Sequence, residues 1–92
     1  MSEYIEIETY LEDESKQVFV KTNLVLTGIG EERYQSAQMM ELGSTLAQYL
    51  SQIDGLQSLI IRERELIVTH DPSIPAHTVA SEIAAALKEF FL

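Results

Sequence analysis

Few side chains in this sequence have the types and spacing for chemistry. His70 and Asp71 adjoin in "IVTHDPS", and His77 follows Ile74-Pro75, which can turn the chain back toward them. Two imidazoles and a carboxylate would suit a divalent transition metal. The opposing reading is that polar residues at a strand end, beside a proline, solvate a turn and satisfy nearby backbone groups. The spacing lacks the paired-ligand pattern of a zinc site. His70 and Asp71 are therefore read as a strand terminus, and no metal is assigned to His70, Asp71 and His77.

Other routes to catalysis fare no better. Gly28-Ile29-Gly30 follows a strand-like run, but it lacks the further glycine and lysine of a phosphate loop, and Glu31-Glu32 behind it would repel phosphate. The serines and threonines fall at caps and turns, and none stands in a glycine-rich elbow. No acid, base and nucleophile converge, so the expectation is a non-enzymatic protein without a cofactor.

Composition narrows the class further. The 92 residues suit one domain, 1–92, in which folding buries about 60 to 65% of the unfolded surface and leaves little room for an enclosed cavity. At 46% hydrophobic, the chain should fold. It has no cysteine, which excludes disulfides, thiolate nucleophiles and cysteine-ligated clusters within this chain. Fifteen acids against six Lys and Arg give a net charge of -9, which disfavours nucleic acid; the acids chiefly keep a small domain soluble, and where they bind, a basic protein surface is the natural partner. The start "MSEYIEIETYLEDE" is acidic where a secretory signal is basic and then apolar, and no apolar run is long enough to span a membrane. The expected location is the cytoplasm.

The elements follow from periodicity. Ile5, Ile7, Thr9 and Leu11 alternate with glutamates and tyrosines as in a half-buried strand. The acidic run Glu12-Asp13-Glu14 then turns into "KQVFVKTNLVLTG", completing a hairpin. From Glu31 the period lengthens. A short turn or partial helix is expected over 35–41, then a main helix with Leu42, Leu46, Tyr49 or Leu50, and Ile53 on one face. Ser44 or Thr45 would cap it, Thr45 and Gln48 have capping-box spacing, and Asp54-Gly55 would close it. Leu56 to Ile61 and Leu66 to Thr69 flank "RERE" as a second hairpin, its first strand covered on both faces at its centre. Pro75 starts a last helix with Val79, Ile83, Leu87 and Phe90 buried. The predicted fold class is α+β: a two-layer sandwich of order ββαββα, with two helices on one face of a four-stranded sheet. What remains for function is surface. The acidic Glu12, Asp13 and Glu14, and the adaptable pair Met39 and Met40, are the candidate partner-binding residues.

The segment "ERYQSAQMMELGSTLAQYLSQIDGLQSLIIRERELIVTHD" resembles the N-terminal domain of the NifU-like (Nfu) iron-sulfur cluster scaffold proteins. The residues that carry the resemblance are Tyr34, Ser36 and Ala37, then Ser44, Leu46 and Ala47, then Ile53, Gly55 and Leu56, and last Ile67, Val68 and Thr69. "LEDESKQVFV" stands in place of the family's proline- and asparagine-rich segment, and Thr45 where its helix-start proline would be. The family's Cys-x-x-Cys cluster-binding domain is not in this sequence. The resemblance implies an accessory or docking module for iron-sulfur assembly or client proteins. The alternative is a small regulatory or homo-oligomeric domain on the same fold, unrelated to iron-sulfur chemistry.

Overall fold

A computed structural model describes residues 5–12 and 16–91. Along the chain come β1 (Ile7–Glu12), β2 (Gln17–Thr22), β3 (Glu31–Tyr34), α1 (Ala37–Glu41), α2 (Thr45–Leu50), β4 (Leu56–Arg62), β5 (Glu65–His70) and α3 (Ala76–Phe91). The strands form one antiparallel sheet in the order β1-β2-β5-β4-β3. The α+β class holds, but with five strands and three helices among the described residues in place of four and two. The extra strand is "EERY". Its polar sequence carries no apolar alternation to betray it, because it is a four-residue edge strand that borrows its pairing from β4. The extra helix is α1, inside the 35–41 segment expected to form a short turn or partial helix.

Alternation along the strands puts Val18, Val20, Leu59, Ile61, Leu66 and Val68 on one side of the sheet, all fully buried. Val79, Ile83 and Leu87 of α3 complete that layer, with Met40, Leu46 and Leu50 from α1 and α2. Phe90, expected in the buried stripe, is only half-buried and tilts against Tyr49 with centroids 5.6 Å apart. The strand expected to run through "NLVLTG" stops at Thr22. The following residues cross to the tip of the β4-β5 hairpin instead, where the Thr22 and Leu26 N–H groups donate to the carbonyls of Arg64 and Glu63. The centre of β4 is not covered equally on both sides: Leu59 and Ile61 are buried, and Ile60 between them is half-buried.

Leu42 departs furthest from its predicted place. Helical spacing sets it in the core, yet it is 87% exposed. The helix is broken there: α1 ends at Glu41, Leu42 is its C-cap, and α2 starts afresh after Ser44. Gly43 sits at the break for a steric reason. A Cβ on it would lie 2.3 to 2.6 Å from the Tyr34 ring and hydroxyl. Gly28, by contrast, has open space around it. Gly43→Ala is expected to destabilise the fold by about 1–3 kcal/mol through overpacking, despite alanine's better helix propensity. Gly28→Ala should leave stability unchanged or raise it by less than about 1 kcal/mol. Urea unfolding of the two variants checks the contrast.

Candidate interaction surface

Strand β3 and helix α2 are joined by a polar cluster on the covered side of the sheet. Glu32 and Tyr34 are two residues apart on β3 and therefore share a face. The Tyr34 hydroxyl donates to Glu32 Oε1 and accepts the Ser44 N–H at 3.1 Å. Ser44 Oγ in turn accepts the Ala47 N–H at 3.3 Å, capping α2. Ser44 rather than Thr45 is the cap. The return bond of a capping box is absent: the Ser44 N–H is taken by Tyr34, and Gln48 Nε2 donates to the Gly43 carbonyl at 2.9 Å. Burial is the largest single influence on the Glu32 carboxyl and raises its pKa. Hydrogen bonds from Thr27, Tyr34 and Ser44 together outweigh burial and hold it below the ordinary value.

At the end of the central strand β5, His70 is buried and its backbone N–H donates to the Lys16 carbonyl at 3.0 Å. Its Nδ1 donates to the Asp71 carbonyl at 3.0 Å, and Nε2 is buried without a partner among the described residues. Asp71 Oδ1 accepts the Ser73 N–H at 2.8 Å, and that bond is the main cause of its lowered pKa. His77 is exposed on the first turn of α3. Among the described residues, no three His, Cys, Asp or Glu side chains are grouped to hold a metal. The structure thus makes His70 and Asp71 a joint between strand ends and does not bring His77 to them.

The predicted contact residues divide. Met39 is exposed on α1, but Met40 is fully buried and belongs to the core. Leu42 takes the place expected of Met40 as the exposed apolar neighbour of Met39; a break after α1 was the signal for it. Glu12 ends β1, and Asp13 and Glu14 lie outside the described residues.

The uncovered side of the sheet is a surface that the sequence did not single out. Tyr10, Phe19, Ile67, Ile60 and Arg33 are direct cross-strand neighbours from β1 to β3. Phe19, Ile60 and Ile67 are only half-buried, so an apolar band stays wet. Beside it runs a row alternating in charge: Glu8, Lys21, Glu65, Arg62 and Glu31. Arg62 bridges Glu31 and Glu65 at 3.1 Å each, and Lys21 lies 5.6 Å over the Tyr10 ring. Each exposed ion pair contributes less than about 1 kcal/mol, so the row sets charge pattern more than stability. A separate groove of about 300 Å³ between α2 and α3 is lined by Tyr49, Ile53, Asp54, Glu82 and Glu89. No helix of the described residues is long and apolar enough to cross a membrane.

An antiparallel five-stranded sheet with all its helices on one face defines the class as a two-layer α+β fold of the NifU-like kind. The fold is similar to that in the solution NMR structure of a NifU-like protein from Saccharomyces cerevisiae, with a TM-score of 0.72 over 92% of this chain and 76% of that one, at 21% identity. At that identity the likeness is one of fold. No family model matches the sequence, and no curated protein matches it.

Several of the residues that carry the resemblance do structural work: Ser36 caps α1, Ser44 caps α2, and Gly55 takes a φ of +89° against Ile74. The polar cluster should show itself in pH dependence. Because the Glu32 pKa is lowered in the folded state, its contribution is full above the pH at which an unfolded glutamate titrates and is lost as pH falls through the depressed value. Tyr34→Phe, which removes a hydrogen bond to that carboxylate, should cost about 1.5–3 kcal/mol at neutral pH and measurably less once Glu32 is protonated. Denaturant midpoints across the acid range read the difference.

Proposed function

We propose that this chain is a non-enzymatic protein-interaction module that serves iron-sulfur cluster assembly or its client proteins. The single observation that carries the reading is the fold held in common with the yeast NifU-like protein. The Nfu-type segment from Glu32 to Asp71 supports it. So does the surface, where half-buried Phe19, Ile60 and Ile67 form a wet apolar band beside alternating charges.

Without a single cysteine, these residues offer no thiolate to a cluster. The role is therefore docking rather than ligation. The net charge of -9 favours basic partners and a salt-sensitive association. The reading places the protein in the cytoplasm.

Recovery of partners on the tagged chain at low and moderate salt, followed by mass spectrometry, tests it. Cluster-assembly or cluster-carrying proteins should be enriched at low salt and fall away at moderate salt. Enrichment of neither class would overturn the iron-sulfur reading.

A further inference from the structure

We propose that the outer edge of β1 takes up an extended basic segment of a partner protein as a sixth strand. The inference rests on the reading of the chain as an interaction module and names the partner's chemistry and its seat.

Among the described residues β1 ends the sheet, and one of its two edges has no neighbouring strand. Which backbone groups lie on that edge follows from the pairing. The Asn23 N–H donates to the Glu6 carbonyl, whereas the Thr22 N–H, opposite Ile7, turns away to Arg64. Glu6 thus aims its backbone at β2, and with the two-residue period Glu8 and Tyr10 do the same. Ile7, Thr9 and Leu11 aim theirs outward. Their N–H and C=O groups form an unpaired ladder of the kind that strand addition uses.

Of the usual protections of such an edge β1 has only charge, its glutamates; it is six residues long, with no proline and no bulge in its pairing. The opposite edge differs. β3 has four residues and is spanned by the Glu31 contacts to Arg33 and Arg62.

Side chains specify what the ladder would take. An added strand has alternate residues on the two sides of the sheet. On the helix side they would meet Ile7 and Leu11, and Leu11 is 45% exposed, with apolar surface to cover. On the other side they would meet Glu8 and Tyr10, the Tyr10 hydroxyl donating to Glu8 at 2.8 Å. The strand and its lead-in hold Glu6, Glu8 and Glu12 and no basic residue; Lys21 sits one strand inward over Tyr10, and Lys88 of α3 and Arg64 line hollows beside Glu6 and Glu8 without an ion pair to either. Apolar residues alternating with Lys or Arg satisfy both sides. A second copy of β1 would instead set carboxylates against carboxylates, which disfavours it as the occupant.

A peptide alternating lysine and valine is the probe, with the same peptide carrying glutamate for lysine as its control. Amide exchange of the intact chain, read residue by residue by NMR, should slow by about tenfold or more at Ile7, Thr9 and Leu11 on adding the lysine peptide. Glu8 and Tyr10, already bonded to β2, should change little, and the glutamate peptide should do nothing. Glu6→Lys with Glu8→Lys should weaken binding by about tenfold or more. Thr9→Pro, which removes an outward N–H, should abolish it; if that variant does not fold, the charge pair decides. No binding, protection confined to other residues such as the groove between α2 and α3, or protection that grows with protein concentration alone would overturn the proposal. If Thr9→Pro still recovers cluster-assembly proteins, the module works through another surface and this inference fails by itself. If wild type recovers none while the peptide still protects β1, the iron-sulfur reading fails and the edge site stands.

Discussion

Everything in this fold depends on one constraint: the central strands β2, β5 and β4 must keep a common alternation, because helices cover only one side of the sheet. Val18 and Val20, Leu66 and Val68, and Leu59 and Ile61 meet α3 and the two short helices only in the observed register. A slip of one residue in any of the three would bring Phe19, Ile67 or Ile60 inward and expose a fully buried pair. Each such aliphatic side chain is worth about 1.5–3 kcal/mol when buried, so a slipped register loses more than most domains of this size have to spare. The β4-β5 hairpin, closed by Glu63 and Arg64, fixes half of this register locally. The pairing of β2 on β5 fixes the rest.

The edge strand β3 is held differently. It contributes little apolar area, and its attachment is the polar cluster in which Tyr34 joins Glu32 to the first turn of α2. Tyr34 and Gly43 are a matched pair in this arrangement: the ring occupies the space that a side chain on residue 43 would need. A glycine that weakens a continuous helix thereby becomes the point at which two short helices bend around an aromatic ring. The same bend carries Leu42 out to solvent beside Met39 and leaves Met40 in the core.

Legibility in the sequence tracked the strength of local pattern. The β4-β5 hairpin and α3 were readable because their apolar periods are clean and their ends carry Gly55 and Pro75. β3 was not, since "EERY" makes sense as a strand only beside β4, and pairing between distant segments leaves no local mark. Leu42 is misplaced because it shares the helical spacing of Leu46 and Leu50 yet lies before the break, as the C-cap of α1, while Met40 packs inward from α1. The resemblance to Nfu proteins agrees with the NifU-like fold and rests largely on residues that cap and turn the chain, but it did not reveal the fifth strand or the third helix. The wet band of Tyr10, Phe19, Ile67 and Ile60 was invisible until the cross-strand register brought four separated segments into one row.

The β2-β5 pairing also bears on how the chain reaches this state. Gln17 and Thr69, whose side chains meet across it, are 52 residues apart. During synthesis at about 5–20 residues per second, β2 would emerge roughly 3–10 s before its partner strand. For that interval Val18 and Val20 have only the β1 hairpin for company, and an isolated hairpin is marginal in water. The acidic residues around that hairpin then gain a kinetic meaning. Like-charged nascent chains repel one another during the seconds in which an unpaired valine-rich strand would otherwise find a copy of itself.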